Sequence, residues 1–252
     1  MAKRIAVQDL SNTIVLDGTQ VVNAHTIDLD SFSGISFFML IRLAPGAYSG
    51  GTFICGDISS NNSGIMSRYR TDLAGDPIYL FYNDGNAAGS IFDLYRGPIE
   101  QLDTYSKYIV VGWRIDNSAE TGQHWQRDAS DGAHSWAARN GGFGTHQVNL
   151  FQQAVAGFGV KGSVAKAWFY GRYLTDTEIE DMALYYIDPE VQGTDDAIWV
   201  PDGSTTTLTD ISGNGNNATM TGVTAGTDGP VKPRSVVSQA RGNLTIEREN
   251  LT

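Results

Sequence analysis

The sequence predicts an all-β protein, a two-sheet antiparallel jelly-roll sandwich with one short helix and an extended C-terminal arm. Two features predict it: short segments of alternating apolar residues, and clusters of Gly, Asn, Asp and Ser between them. The 29 glycines suit a chain of short strands joined by many turns. At 41% hydrophobic and 18% charged residues, the chain has enough apolar content to bury a core.

The strand predicted over residues 35–43 is apolar on both of its faces. Alternation places five apolar side chains on one face: Ile35, Phe37, Met39, Ile41 and Leu43. Phe38 and Leu40 lie on the opposite face. A strand covered on both faces belongs in the middle of a sheet.

Other segments of the same kind predict further strands on either side of a single helix. They cover residues 13–16, 51–56, 78–82, 91–95, 108–115, 124–127, 155–160, 164–170, 197–200, 205–208 and 218–223. The helix begins after Thr175, which forms a capping box with Glu178. Ile179, Met182 and Tyr186 follow at helical spacing, so we expect this stripe to dock on the sandwich.

The charge distribution divides the chain at residue 228. Residues 1–228 form the predicted sandwich domain, and residues 229–252 form the arm. The arm carries four basic and two acidic residues, whereas the whole chain has a net charge of −11. We expect the arm to add a strand to the sheet edge of a neighbouring molecule.

Composition also excludes several partners. An acidic chain repels nucleic-acid backbones, so no nucleic-acid partner is expected. The single cysteine, Cys55, rules out an internal disulfide and is expected to be a buried thiol. No apolar segment has the length of a signal peptide or a spanning helix, so we expect no membrane insertion.

Several segments resemble the concanavalin A-like lectin/laminin-G superfamily. Residues 13–19 (TIVLDGT) and 35–43 resemble its opening and core strands, and residues 162–179 resemble its closing strand followed by "raLsdaEI". Residues 210–216 (DISGNGN) resemble its "D-S-G-N-G-n" turn, but here that turn follows the helix instead of preceding the first strand. Either the fold is circularly permuted, or this part pairs with the next copy of the domain or with a neighbouring subunit.

The resemblance extends to domains of bacteriophage virion proteins. It implies a non-enzymatic structural component of a tail, fibre or capsid decoration, made in the host cytoplasm and located in the virion. Its partners would be other virion proteins, further copies of itself as a homo-oligomer, and a host cell-surface glycan. The alternatives are a free-standing carbohydrate-binding lectin module and a glycan-cleaving enzyme.

Two sets of residues are candidates for ligand binding. Carbohydrate binding needs exposed aromatic rings beside amide and carboxylate groups. The residues that offer these are Trp125, Trp136, Tyr82, Asn83, Asp84, Asp128 and Asp131. Asp210, Ser212 and Asn214 resemble half of a calcium loop, although Thr221 occupies the position of the closing acid. Hydrogen bonds within a turn explain the same three residues, and no other cofactor is expected.

Catalytic patterns are absent from the sequence. Retaining glycosidases need two carboxylates about 5 Å apart, and the E-x-D-x-E spacing that supplies them in this superfamily does not occur. Glu178, Glu180 and Asp181 belong to the predicted helix. None of the four histidines adjoins a nucleophile elbow. The sequence therefore predicts a protein without enzymatic activity.

Overall fold

A computed structural model gives the arrangement of these segments. The structure describes residues 10–45, 49–56, 63–70, 78–84, 94–95, 107–119, 121–126, 129–130, 134–135, 144–151, 159–230, 235–240 and 243–248. Within these ranges the strands up to residue 226 lie in two layers, and every strand pairing is antiparallel. The predicted all-β fold is confirmed.

We call the two layers the front sheet and the back sheet. The front sheet contains β1 (Thr13–Asp17), β3 (Gly34–Leu43), β8 (Ile109–Asp116), β9 (Thr121–Gln126), β10 (Ala129–Ser130), β11 (His134–Ser135), β13 (Lys161–Tyr170), β14 (Ala197–Val200) and β17 (Thr224–Gly226). The back sheet contains β2 (Val21–Asp28), β4 (Ser49–Gly56), β5 (Ser63–Arg70), β6 (Ile78–Asp84), β7 (Leu94–Tyr95), β12 (Thr145–Leu150) and β16 (Ala218–Thr221). The strand β15 (Thr207–Asp210) joins the layers, since it pairs with β14 and with β16.

The core lies between the two sheets and is rich in aromatic rings. Phe53 of the back sheet contacts Phe37, Trp113 and Phe169 of the front sheet, with ring centroids 4.9, 5.3 and 5.8 Å apart. Cys55 is also fully buried there, and burial raises the pKa of its thiol to about 12. These contacts explain the alternation in residues 35–43, because the alternate positions face the opposing sheet.

The segment after the helix completes both sheets of its own chain. β14 pairs with β13, whereas β16 pairs with β2. This agrees with the first of the two arrangements considered for the displaced turn, in which these strands complete the sheets from the other end. Pairing of these strands with a neighbouring subunit is therefore not needed to form the fold.

One helix covers part of the outer face of the front sheet. The helix α1 (Asp176–Tyr185) begins with the predicted capping box, in which Thr175 and Glu178 bond each other's backbone amides. It ends at Tyr186, whose left-handed backbone places its amide near the carbonyls of the last turn. Ile179 and Met182 are fully buried against Trp168 and Tyr170 of β13. Among the described residues, no helix is long and apolar enough to span a membrane.

Sequence patterns missed three of the longer strands of the back sheet. β2, β5 and β12 are mixed in polarity along their length, so their alternation is weak. The strand predicted over residues 155–160 lies mostly outside the described residues. The C-terminal arm is not a single extended segment, because β18 (Ser235–Ala240) and β19 (Asn243–Arg248) pair with each other as a hairpin.

Candidate functional site

The outer face of the front sheet has a polar row beyond the helix. Val15 lies opposite Ser163, and Ser163 lies opposite Arg42. Tyr108 comes next, since the following residue pairs with Ile41, and the Arg42 guanidinium lies 5.3 Å from its ring centroid. We call this region, with Thr13, the open end of the front sheet. It contrasts with the covered end, where Phe38, Trp168 and Tyr170 lie under α1.

A cleft of about 350 Å³ opens at this end of the sheet. Its lining combines apolar and polar groups: Val15, Leu16, Arg42, Leu43, Ala44, Pro45, Gly162 and Ser163. Gly162 has a φ of +148°, and a Cβ there would come 2.3 Å from the carbonyl oxygen of Arg42. Glycine is therefore required for β13 to approach β3 beneath the cleft.

Asp228 joins the polar groups beside this cleft into one network. Its carboxylate forms an ion pair with Arg42. Its Oδ1 accepts a hydrogen bond from Thr13 Oγ1 at 2.8 Å and a longer one from the Tyr108 hydroxyl at 3.5 Å. Arg42 also reaches Ser163 Oγ at 3.5 Å. The side chains of Arg42 and Asp228 are 33% and 43% exposed, so the pair is accessible from solvent.

The network fixes the protonation of its members. Partial burial disfavours ionisation of Asp228, but the Thr13 hydrogen bond and the positive charge of Arg42 outweigh it, so the pKa of Asp228 is lowered. Burial raises the pKa of Tyr108, so its hydroxyl stays protonated and remains a hydrogen-bond donor. At neutral pH the network therefore contains one cation, one anion and neutral hydroxyl groups.

A second polar cluster lies around Arg114, which is itself buried although its partner Asp176 is 67% exposed. Arg114 is 3% exposed and donates to Gln123 Oε1, to the Leu174 carbonyl and to Asp176. Its guanidinium lies between the rings of Tyr173 and Trp125, at 4.2 and 5.1 Å from their centroids. This arrangement secures the start of α1 on the sheet. It leaves little of the cluster for a ligand.

Trp125 does not provide the exposed platform that the sequence suggested. The ring is only 4% exposed, because it packs with Val110 and other residues of the outer-face cluster beside Arg114. Alternation along β9 places it on the same side as Gln123, whose Oε1 lies 3.4 Å from its indole nitrogen. The tryptophan therefore contributes to stability at this position.

The loop that resembles a calcium site is held by its own hydrogen bonds. The Asp210 carboxylate accepts from the amides of Ile198, Ser212 and Asn216 at 2.8 to 2.9 Å. Asn214 turns its amide nitrogen toward the carbonyls of Gly193 and Asp196. These bonds fasten the loop to the segment before β14, which explains Asp210, Ser212 and Asn214 without a cation. Within the described residues, no group of three or more acidic, His or Cys side chains could hold a metal.

The other predicted sugar-binding residues belong to the back sheet or lie outside the described ranges. Tyr82, Asn83 and Asp84 pair in register with Ile65, Gly64 and Ser63. Trp136, Asp128 and Asp131 lie outside the described residues. Tyr82, Asn83 and Asp84 thus belong to a strand of the other sheet, and the role of all six residues in binding stays a prediction.

Sequence reasoning missed the residues at the open end. Arg42 stands out within the sequence segment 35–43 as the charged residue of an apolar strand, and that contrast was the available signal. Asp228 gave no comparable signal, since it lies 215 positions from Thr13, its hydrogen-bond partner. The pairing of β17 with β1, of β1 with β13 and of β13 with β3 brings these groups together.

Comparison with known proteins identifies the class of fold. No protein-family model matches the sequence, and curated proteins give no significant match. Solved structures do match. A protein from Bacteroides ovatus, to which carbohydrate binding is ascribed, has a TM-score of 0.61 and 15% identity, with 88% of this chain and 61% of that chain covered.

Two further structures show the same fold. A heptameric SAP-like pentraxin from Limulus polyphemus has a TM-score of 0.54 and 12% identity, with 78% of this chain and 95% of that chain covered. The CBM40 domain of the Ruminococcus gnavus IT-sialidase, bound to α2,3-sialyllactose, has a TM-score of 0.51 and 11% identity, with 70% and 100% covered. The chain therefore has a lectin-like jelly-roll fold, and these neighbours are binding modules or lectin-like proteins, not catalytic domains.

Proposed function

We propose that this protein is a carbohydrate-binding module that receives a sugar at the open end of its front sheet. The observation that carries the proposal is the open-end cleft with the Arg42–Asp228 pair at its side. Sugars present hydroxyl groups, which both donate and accept hydrogen bonds, and apolar C–H faces. A site for them combines a few fixed polar groups with an apolar or aromatic lining.

The open end offers each of these elements. Arg42 supplies N–H donors and Asp228 supplies carboxylate acceptors, and hydrogen bonds to charged groups are the stronger kind. Val15, which is 37% exposed, and the half-buried ring of Tyr108 supply apolar surface. The similarity in fold to carbohydrate-binding proteins supports the same function.

A glycan array followed by isothermal titration calorimetry tests the proposal. We expect the full chain to bind at least one class of oligosaccharide, and Arg42→Gln and Tyr108→Ala each to weaken binding about tenfold or more. Tyr185→Ala is the matched control, since it removes a partly buried tyrosine from α1, which covers the other end of the sheet. Absence of binding on the array, or equal losses in Tyr108→Ala and Tyr185→Ala, would contradict the proposal.

The proposed binding function does not depend on where the protein acts. A role in a virion, with assembly through the C-terminal segment and formation of a homo-oligomer, stays a prediction from the sequence. Size-exclusion chromatography with light scattering of the full chain and of a form lacking residues 229–252 tests it. An unchanged assembly state after the deletion would contradict the assembly role.

A further inference from the structure

The polar groups of the open end are arranged as a matched donor and acceptor. Among the described residues, the hydrogen bonds of the Arg42 guanidinium all involve Nη2, which contacts Asp228 and Ser163. Guanidinium has five N–H donors, so Nε and Nη1 keep donors for a ligand. Asp228 presents acceptor oxygens directly beside them.

The two hydroxyl groups around Asp228 both donate hydrogen bonds to its carboxylate. Thr13 Oγ1 donates to Asp228 Oδ1, and the Tyr108 hydroxyl also points its donor there. The Thr13 hydrogen bond and the charge of Arg42 support the ionised carboxylate, so Asp228 keeps its negative charge at neutral pH. The positive charge of Arg42 is therefore already compensated before any ligand arrives.

Building on the proposed function, we propose that the open-end cleft selects neutral sugars with two adjacent hydroxyl groups over sialylated, uronic or sulfated glycans. One hydroxyl accepts from Arg42 while its neighbour donates to Asp228, which satisfies both members of the pair. A carboxylate or sulfate can only accept hydrogen bonds, so it satisfies Arg42 but faces Asp228 as a like charge.

The charge of the whole chain acts in the same direction. The net charge of −11 opposes the approach of an anionic sugar, although screening at physiological salt limits this effect to about 8 Å. An anion could use Arg42 fully only by displacing Asp228, and Asp228 is held by Thr13 and Tyr108 as well. Ser163, which is 5% exposed, adds a neutral hydroxyl beneath the pair.

The experiment compares matched glycans on one array, each neutral oligosaccharide beside its sialylated, uronic or sulfated form. We expect the full chain to prefer the neutral member of each bound pair by about tenfold or more. We expect Asp228→Asn, which leaves the charge of Arg42 uncompensated, to shift that ratio toward the acidic member by about tenfold. Glu180→Gln is the matched control, because it removes one negative charge from an exposed position on α1 and should leave the ratio unchanged.

The salt dependence of binding by the unaltered protein gives a second measurement that needs no variant. A neutral ligand should bind with an affinity that is nearly independent of sodium chloride concentration, whereas an anionic ligand, which Asp228 and the acidic chain repel, should bind more tightly as salt screens that repulsion. A preference of the full chain for acidic glycans, or a ratio unchanged in a folded Asp228→Asn variant, would overturn the selectivity and leave the proposed function standing. Failure to bind any glycan would overturn both.

Discussion

The two ends of the front sheet present opposite surfaces from the same strands. At the covered end, outward-facing Phe38, Trp168 and Tyr170 are fully buried beneath α1. At the open end, the same faces of β3 and β13 carry Arg42 and Ser163 beside a cleft. Because α1 is only ten residues long and is joined to the end of β13 by the short segment 171–175, it can shield only the end where that strand stops. The position of the turn between β13 and α1 therefore decides which end of the front sheet is buried and which end stays open.

The largest difference between the ends should be in stability. Trp168→Ala removes a fully buried ring from the covered end and should lower the free energy of unfolding by about 3–5 kcal/mol. Val15→Ala at the open end, where the side chain is 37% exposed, should change it by less than about 0.5 kcal/mol. Urea denaturation measures both. Equal effects would show that the two ends do not differ as described.

The covered end also contains a buried ion pair whose members should not be equivalent. Lys166 is fully buried and pairs with Asp188, whose side chain is 28% exposed and also accepts from the Trp168 indole at 2.7 Å. Asp188→Ala removes the carboxylate that faces a buried ammonium and should cost about 3 kcal/mol. Lys166→Met leaves an acid that water can reach, so it should cost less than about 1.5 kcal/mol. The reverse order in thermal and urea denaturation would contradict this interpretation.

The stability of α1 on the covered end depends on its N-terminal capping box. Thr175→Ala removes the capping box and should lower stability by about 1 kcal/mol. Thr177→Ala is the matched control, because Thr177 is an exposed threonine two residues further along the chain that is not the N-cap, and it should have little effect. Circular dichroism and thermal denaturation distinguish the two variants. A larger effect in Thr177→Ala would mean that the cap does not hold the helix at the covered end.

At the open end, the contribution of the network should depend on pH. Since the pKa of Asp228 is lowered on folding, its stabilising effect is present above the ordinary value of 3.8 and is lost as pH falls through the lower folded value. The melting temperatures of the unaltered protein and Asp228→Asn should therefore differ at neutral pH and converge in acid. A difference that grows below pH 3.8 would have the wrong sign.

The smallest expected effect concerns calcium at the loop that joins the two sheets. The Asp210 carboxylate accepts hydrogen bonds from backbone amides, so Asp210→Ala should lower the free energy of unfolding whether calcium is present or not. Calcium or a chelator should leave the melting temperature of the unaltered protein unchanged. A calcium-dependent rise would support the cation site suggested by the sequence at Asp210, Ser212 and Asn214.

Local signals made much of the fold predictable. The alternation in residues 35–43 and 108–115 gave two central strands, because period-2 geometry transfers the apolar pattern directly to one face. Strands with weaker alternation, such as β2 and β12, escaped notice because neighbouring strands decide their burial. Trp125 was misplaced for a related reason. An aromatic residue near turn residues can face solvent or the sheet, and only the packing around Arg114 decided.

The sequence by itself determined the all-β class and the start of the helix, because both follow from interactions between residues a few positions apart. Tertiary structure alone decided the open-end cleft. Arg42 and Asp228 are 186 positions apart, and their pairing depends on the register of β1 with β17 and with β13, and of β13 with β3. Strand pairing between such distant segments leaves no pattern that links them in the sequence, because a local pattern reports only on the alternation within one strand.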